Sequence, residues 1–235
     1  ENSYTNRPPI GYPKMSPTSP QPTDKLAGTL RHRLLLAIET LRVVDKVMLG
    51  KALSLAEQVH SGQTRRPARN VSNPKHASPF IVHPMRVALI ILEELELKEP
   101  LAVAAALLHD TVEMSAGKVT IGSIEEAFGR PIAMMVSILS MPPLAANASK
   151  QERDRILKIY QDRIFNASVE TKLVKLADRL DNTREAAELL DKSFQQKMLD
   201  EGKSFYLPLA ETTDAYLMEE LSLALEALEK RIKFG

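Results

Sequence analysis

The stretch that decides the fold of this chain is Ala102-Val103-Ala104-Ala105-Ala106-Leu107-Leu108-His109-Asp110. A helix that is apolar on all sides belongs in the middle of a core, so this stretch predicts a central, buried helix. It ends in an adjacent His109 and Asp110, and an ionised aspartate is costly to bury without a partner. A divalent cation would supply that partner, because imidazole and carboxylate together suit Mn, Fe or Zn. The alternative is a His-Asp pair that emerges into solvent at the helix end, and this stretch alone does not separate the two.

The composition of the 235 residues indicates an all-α protein. Hydrophobic residues make up 44% and charged residues 26%, which suits one domain with a sizeable core. Only 9 glycines are present, and the many Ala, Leu, Glu and Lys residues favour helix. The absence of cysteine excludes disulfides, thiolate metal sites and a cysteine nucleophile. A net charge of +1 argues against a nucleic-acid partner, and the longest apolar run, Leu101 to Leu108, is too short to cross a membrane.

Proline separates an N-terminal arm from a single helical domain. Six of the 15 prolines fall within the first 22 residues, which predicts an irregular arm over residues 1–23. The domain is expected to span residues 24–235, and its first helix to be capped by Thr23 and Asp24. Because the sequence begins with Glu1 rather than Met, we expect that the natural start has been trimmed. Apolar periodicity and turn signals predict further helices, and no strand, over residues 45–60, 84–96, 100–113, 120–128, from 131 onward, 150–165, 169–190, 194–198 and 207–233.

A second informative stretch is Leu173-Val174-Lys175-Leu176-Ala177-Asp178-Arg179-Leu180-Asp181-Asn182. Its apolar residues form one stripe of an amphipathic helix. Asp178 and Asn182 are four residues apart, so they lie on the same side of that helix, at the flank of the stripe. A carboxylate there can reach a metal, and an amide one turn later can reach a substrate. Taken alone, a partly exposed Asp178 in a salt bridge is the simpler explanation.

His83, in Ile81-Val82-His83-Pro84, is the third candidate, although a lone histidine there is usually a capping or core residue. In chain order the candidates read His83, His109-Asp110 and Asp178, each at the end or flank of an apolar helix. This order resembles the HD metal-dependent phosphohydrolases. Four linked motifs, within the part of the chain over residues 45–200, then resemble the hydrolase domain of the RelA/SpoT family, especially small stand-alone forms such as the metazoan SpoT homologue. These motifs lie at residues 60–66, 79–84, 104–113 and 175–182.

The resemblance implies an HD-type helical bundle with one Mn²⁺, although Fe²⁺ and Zn²⁺ also suit such donors. The implied ligands are His83, His109, Asp110 and Asp178. The implied reaction removes pyrophosphate from the 3′ position of guanosine tetra- and pentaphosphate (ppGpp and pppGpp), returning GDP or GTP.

Substrate-binding and catalytic roles are also implied by the resemblance. Arg65 would stack on and position the guanine base, and Asn182 would act on the ribose or 3′ side as a substrate-binding and catalytic residue. Glu113, one turn after His109, could accept a proton from water or orient it. The ordinary alternative for Glu113 is a solvated glutamate at a helix end.

Two departures from the family pattern concern the substrate. The family has Glu-Asp where this chain has Glu113-Met114, so one carboxylate near the site is missing. The loop over residues 67–78 is about eight residues longer than the resemblance predicts, and loops of this length are often functional. Arg66 and Lys75 in this basic region are candidate phosphate ligands, because cations there would meet a doubly pyrophosphorylated nucleotide. For Lys75, a solvated basic loop is an equal alternative.

Two alternative functions follow from these departures. The metal site could act on another phosphorylated nucleotide, or on a cofactor that carries a 2′- or 3′-phosphate. Alternatively, the chain could be a regulatory module that binds the alarmone with little turnover. The predicted partner is a small guanine nucleotide, with neither nucleic acid nor membrane, and the predicted compartment is the cytoplasm; the sequence does not indicate an oligomeric state. His32 and His76 are expected not to bind metal, His60 to pack near the base pocket, and Met134, Met135 and Met141 to lie in the core.

Overall fold

A computed structural model of the chain describes residues 22–65, 77–145, 147–189 and 191–234. Within these ranges the protein is all-α, which confirms the predicted fold class, and no strand is present. The first helices are α1 (Pro22–Ile38), α2 (Val43–Val59), α3 (Val82–Leu89), α4 (Pro100–Leu108), α5 (Thr111–Met114) and α6 (Ile121–Phe128). The remaining helices are α7 (Arg130–Leu139), α8 (Lys150–Phe165), α9 (Val169–Ala186), α10 (Lys192–Glu201), α11 (Leu207–Glu211) and α12 (Ala215–Phe234). Two π-helical segments, Ile90–Glu94 and Gly202–Tyr206, follow α3 and α10 directly.

Helix α4 lies at the centre of the molecule, as its apolar sequence predicts. Every residue from Ala102 to Leu108 is fully buried. Pro100 occupies the first turn, where its missing N–H has no intrahelical partner to lose. Helices α2, α3, α7 and α9 pack around α4. Because the small alanines allow these neighbours to approach closely, side chains at the end of α4 meet side chains from α3 and α9.

The helix that carries the second informative stretch, α9, begins and ends with side-chain caps. Ser168 accepts a hydrogen bond from the Thr171 N–H at the N-terminus. At the other end, the Gln195 Nε2 donates to the Ala186 and Leu189 carbonyls, so the helix ends at Ala186 and not at residue 190 as predicted. These contacts fix α9 against α10 and hold its buried face towards α4.

The chain departs from continuous helix at His109, where the sequence predicts one helix over residues 100–113. The structure has two helices, because the His109 Nδ1 donates to the Ala106 carbonyl and the Thr111 hydroxyl donates to the Leu108 carbonyl. These side chains take carbonyls that the helical backbone would otherwise use. The resulting turn sets His109 and Asp110 beside α3 and α9 and does not let them continue along the α4 axis.

Other boundaries also differ from the prediction. Helix α1 begins at Pro22, so Thr23 and Asp24 lie within the helix and not before it as predicted. The predicted helix over 207–233 is interrupted, because the Thr212 and Thr213 hydroxyls donate to the Leu209 carbonyl between α11 and α12. The predicted stop at Gly129 is confirmed, since Gly129 has a φ of 85° that other residues rarely adopt.

The methionine prediction is correct for one residue and wrong for two. Met135 is buried in α7, but Met134 is 53% exposed and Met141 is 37% exposed. Neighbouring residues on a helix are about 100° apart, so Met134 and Met135 cannot both face the core. Met141 follows the end of α7, where the chain has left the core.

Several predictions fall outside the described residues, namely most of the arm over 1–23 and of the loop over 67–78, and the side chains of Arg66, Lys75 and His76. The last two residues of that loop and the segment that leads to it, up to Arg65, are described, and an antiparallel bridge joins Thr64 to Pro79. The Arg65 N–H donates to the Ser78 carbonyl over 2.8 Å, and the Phe80 N–H donates to the Gln63 carbonyl over 2.9 Å. Among the described helices, none combines the length and apolar character that a membrane span requires.

Candidate metal centre

Three side chains from separate helices converge beside the end of α4. His83 comes from α3, His109 follows α4, and Asp178 comes from α9. One donor atom from each lies within 4.8 Å of the other two, and all three residues are buried. First-row divalent metals such as Mn, Fe and Zn accept this combination of two imidazoles and a carboxylate. The described residues therefore hold the donors for one divalent cation.

Hydrogen bonds fix which nitrogen of each imidazole faces the other two donors. The His109 Nδ1 lies 2.8 Å from the Ala106 carbonyl, and the His83 Nδ1 lies 2.7 Å from Asp181 Oδ2. Carbonyl and carboxylate oxygens only accept hydrogen bonds, so both Nδ1 atoms carry protons. The two Nε2 atoms then face each other across 3.2 Å. This is the orientation of metal-binding histidines, in which the outer nitrogen donates to an oxygen.

Asp110, the fourth predicted ligand, lies at the edge of the same cluster. Its Oδ2 is 3.2 Å from the His109 Nε2 and 3.7 Å from the His83 Nε2. Asp178 Oδ1 is 3.1 Å from the His83 Nε2 and 3.7 Å from the His109 Nε2. The structure thus brings all four predicted ligands together, with Asp110 the most exposed of them at 24% of its side chain.

The electrostatics of the cluster favour positive charge at its centre. Burial alone would lower the pKa of His109, but Asp110 and Asp178 outweigh it and raise that pKa well above the usual value. Burial opposes ionisation of Asp178, but Lys175 and the two imidazoles hold the pKa of Asp178 well below its usual range. For Asp110, His109 likewise outweighs burial and lowers the pKa to about 2. A divalent cation would satisfy these carboxylates in place of protonated imidazoles.

The cluster opens into a cavity of about 680 Å³. That volume is within the range of small-molecule sites. The walls combine carboxylates, of the cluster and of Asp154, Glu185 and Glu201, with cationic, aromatic and amide side chains, including those of Arg65, Phe80, Arg153, Tyr160, Lys175, Asn182, Lys197 and Tyr206. A phosphorylated nucleotide matches this lining, because it has an aromatic base at one end and several negative charges.

Arg65 and Asn182 lie together on one wall of this cavity. The Arg65 guanidinium donates to the Asn182 Oδ1 over 2.7 Å and forms an ion pair with Glu185. It also lies over the Phe80 ring, with 5.3 Å between the guanidinium carbon and the ring centroid. The Asn182 Nδ2 donates to Asp178 Oδ1, so Asn182 joins Arg65 to a predicted metal ligand.

Glu113 and Met114 are adjacent in α5 but line different cavities. Glu113 lines the cavity of the metal cluster, and its Oε1 accepts a hydrogen bond from the Met141 N–H over 2.8 Å. Partial burial raises the pKa of Glu113. Met114 lines a separate cleft together with Leu55, Val59 and Val119. At the position where the family has a second acid, the chain therefore places no carboxylate.

His60 packs near the cavity, in agreement with the sequence prediction. Its ring stacks on Phe80 with 4.7 Å between centroids, and its Nδ1 lies 2.9 Å from the Gln63 Oε1. His60 is not among the donors of the metal cluster. The stack supports Phe80, which in turn lies beneath the Arg65 guanidinium.

Sequence reasoning missed several residues that contribute to the site. Lys175 Nζ lies 2.6 Å from Asp178 Oδ2 and is enclosed by the Tyr160 and Tyr206 rings, at 5.3 and 5.9 Å. Asp181 contacts His83, as described above. Lys175 and Asp181 both lie inside the 173–182 stretch, but nothing in that stretch shows which of its charged residues face the cluster. Tyr160 and Tyr206 carry no sequence signal at all, because they come from distant helices.

Known proteins match the part of the chain that carries the candidate site. Residues 52–215 match the family described as HD domain. A putative chloroplastic GTP diphosphokinase, RSH1, of Arabidopsis thaliana is 33% identical over 201 residues, which cover 83% of this chain and 21% of that protein. The guanosine-3′,5′-bis(diphosphate) 3′-pyrophosphohydrolase MESH1 of Xenopus tropicalis is 29% identical over 157 residues, which cover 67% of this chain and 79% of that protein.

A solved structure of a metazoan ortholog of SpoT, described as hydrolysing ppGpp, superposes with a TM-score of 0.60 at 25% identity. The superposition covers 76% of this chain and 94% of that one. The chain spans about a fifth of the length of the plant relative and of a GTP pyrophosphokinase of Myxococcus xanthus.

Proposed function

The chain belongs to the HD domain family and, within it, to the RelA/SpoT proteins that its motifs resemble, and we propose that it is a metal-dependent 3′-pyrophosphohydrolase of guanosine tetra- and pentaphosphate. The products would be GDP or GTP and pyrophosphate. The observation that carries this proposal is the buried convergence of His83, His109 and Asp178 beside a cavity that is lined by cationic as well as acidic side chains. The activity in the name of the Xenopus tropicalis relative agrees with it.

We assign Mn²⁺ to the cluster, with His83, His109, Asp110 and Asp178 as its ligands. The fit rests on the two Nε2 atoms, whose rings already donate through Nδ1 to other oxygens. When bound, the cation supplies Lewis-acid polarisation of a phosphoryl oxygen and acidifies water. Fe²⁺ and Zn²⁺ suit the same donors, so metal content is one of the measurements that test the assignment.

Glu113 is the proposed proton acceptor for the attacking water. Its carboxylate lines the cavity, and the hydrogen bond from the Met141 N–H fixes one oxygen and leaves the other available. A raised pKa makes a carboxylate a better base at neutral pH, and partial burial raises the pKa of Glu113. Asn182, through its hydrogen bond to Asp178, would orient the 3′ side of the nucleotide next to the metal ligands.

Arg65 is the proposed base-binding residue, because its guanidinium already lies against an aromatic ring in the cavity wall. A guanine ring on the other face of the guanidinium would complete a stack. Arg153 and Lys197 add positive charge to the cavity walls, where the phosphates would lie, whereas Lys175 lies at the cluster itself, paired with Asp178. Arg66 and Lys75 stay predicted phosphate ligands from sequence, in the part of the chain outside the described residues.

The alternatives differ from this proposal in substrate or in turnover. The lack of a second acid at Met114 favours testing other 2′- and 3′-phosphorylated nucleotides alongside ppGpp. A binding module without turnover would show tight nucleotide binding and no product. As predicted from the sequence, we propose the cytoplasm as the compartment.

The test is hydrolysis of ppGpp by the purified chain with Mn²⁺, followed by separation of the nucleotides and assay of pyrophosphate. We expect GDP and pyrophosphate in equal amounts, and loss of both on chelation. His109→Ala should abolish the reaction, whereas His32→Ala, which changes an exposed histidine of α1, should not. Intact ppGpp after prolonged incubation at high protein concentration would contradict the proposal.

A further inference from the structure

Asp181 occupies a position behind the metal cluster that none of the predicted roles explains. It is buried at 4% exposure on α9, and both of its carboxylate oxygens are engaged. Oδ2 accepts the hydrogen bond from the His83 Nδ1 over 2.7 Å. Oδ1 lies 2.7 Å from the Arg86 Nε in an ion pair. Asp181 therefore contacts the proposed metal ligand His83 at Nδ1, the nitrogen that faces away from the cluster. It does not contribute an oxygen to the cluster itself.

Arg86 is held in turn by a second carboxylate. The Arg86 Nη2 lies 3.3 Å from the Glu185 Oε1, and Glu185 forms an ion pair with Arg65. Asn182 joins Arg65 to Asp178. A continuous path of contacts therefore leads from His83 to Asp178 through Asp181, Arg86, Glu185, Arg65 and Asn182. Asp181, Arg86, Glu185 and Arg65 alternate in charge along this path, so each of these four side chains has a partner of opposite sign.

We propose that Asp181 is a positioning residue for the metal centre, which holds the His83 imidazole with its Nε2 lone pair towards the cation, and that Arg86 holds Asp181. This inference rests on the metal centre of the proposed function. Without Asp181, the His83 ring could rotate or place its proton on Nε2, and either change would remove a metal ligand. A carboxylate that accepts the imidazole N–H also makes the other ring nitrogen a stronger electron-pair donor to a cation. A neutral acceptor has a weaker effect.

A purely structural role is the competing explanation. In that case Asp181 only neutralises the partly buried Arg86, and its loss would destabilise the fold without changing the affinity of the folded protein for metal. The two explanations therefore differ in metal affinity, which can be measured without any turnover.

The experiment compares Mn²⁺ binding to wild type, Asp181→Asn and the control Asp45→Asn by calorimetry. Asp45 is also a buried aspartate in an ion pair with an arginine, Arg42, but it lies on α2 away from the cluster. We expect Asp181→Asn to weaken Mn²⁺ binding by roughly 10- to 100-fold, as for other residues behind metal ligands. Asp45→Asn should bind Mn²⁺ like wild type.

If Asp181→Asn does not fold, Arg86→Lys decides the question with the same measurement. Lysine keeps the positive charge but lacks the Nε contact to Asp181, so we expect weaker Mn²⁺ binding than wild type. An affinity within twofold of wild type, for whichever of the two variants folds, would overturn the positioning role alone. Failure of the wild-type chain to bind Mn²⁺ would overturn the metal centre and this inference together.

Discussion

The Nε2 atoms of His83 and His109 lie 3.2 Å apart, while the Nδ1 atom of each ring donates to an oxygen outside the cluster. Two neutral imidazoles in this arrangement present lone pairs to each other, which is unfavourable unless a proton or a cation lies between them. The carboxylates of Asp110 and Asp178 beside them add negative charge at the same point. This relationship is the physical reason to expect a resident cation.

Loss of a proposed ligand should remove the metal. Asp178→Asn keeps the size of the side chain but takes away the negative charge and one metal-binding oxygen. We expect the Mn²⁺ content after dialysis to fall to background, and hydrolysis of ppGpp to fall by more than about 100-fold, beyond the usual effect of residues behind a ligand. Metal analysis and product assay check this. An active, metal-loaded Asp178→Asn protein would contradict the assignment, and Asp45→Asn is the matched control.

Glu113→Gln should separate catalysis from metal binding. The amide keeps the shape and can still accept the hydrogen bond from Met141, but it cannot take a proton from water. We expect kcat to fall by roughly 10²- to 10⁴-fold, with Mn²⁺ affinity and KM close to wild type. Steady-state kinetics with calorimetry check the two parts. The exposed Glu125→Gln of α6 is the control, and an unchanged kcat for Glu113→Gln would exclude Glu113 as the base.

Arg65→Lys should affect binding of the nucleotide more than its turnover. Lysine keeps the charge near Glu185 but loses the planar fork and the stacking surface. We expect KM for ppGpp to rise by about 10-fold or more, equivalent to the roughly 1.5–3 kcal/mol of a hydrogen bond to a charged group, while kcat changes little. The kinetic constants of Arg31→Lys, on the exposed face of α1, serve as the reference. A fall in kcat without a change in KM would contradict the base-binding role.

Gly202 allows a stability test of the packing of α12, and Gly50 serves as its control. A Cβ on Gly202 would overlap with Leu225 Cδ2 of α12, so Gly202→Ala should destabilise the protein by about 1–3 kcal/mol through overpacking. Gly50 lies inside α2 with nothing within 4 Å of such a Cβ, so Gly50→Ala should stabilise it by about 0.5–1 kcal/mol. Urea unfolding of the two variants measures both values. A Gly202→Ala variant that is not destabilised would indicate that the approach of α12 to Gly202 is not as described.

Much of the site follows from local sequence patterns. His109 and Asp110 end a stretch that is too apolar to lie anywhere but in the core, and Asp178 and Asn182 share a helix face because they are four residues apart. Asp181 and Lys175 show the limit of this reasoning. His83, the partner of Asp181, is 98 residues away in the chain, and the Tyr160 and Tyr206 rings that enclose Lys175 come from other helices.

The amino-acid sequence by itself determined the helical class and the central position of α4, because periodicity and composition act locally along the chain. The four residues that meet at the cluster were predicted from the resemblance of the sequence motifs to a known family. Only the tertiary structure decided that the chain turns at His109, that Met134 faces outward, and that Asp181 faces His83. These features depend on hydrogen bonds and packing between segments distant in sequence, and such contacts are set by how α3, α4 and α9 approach each other.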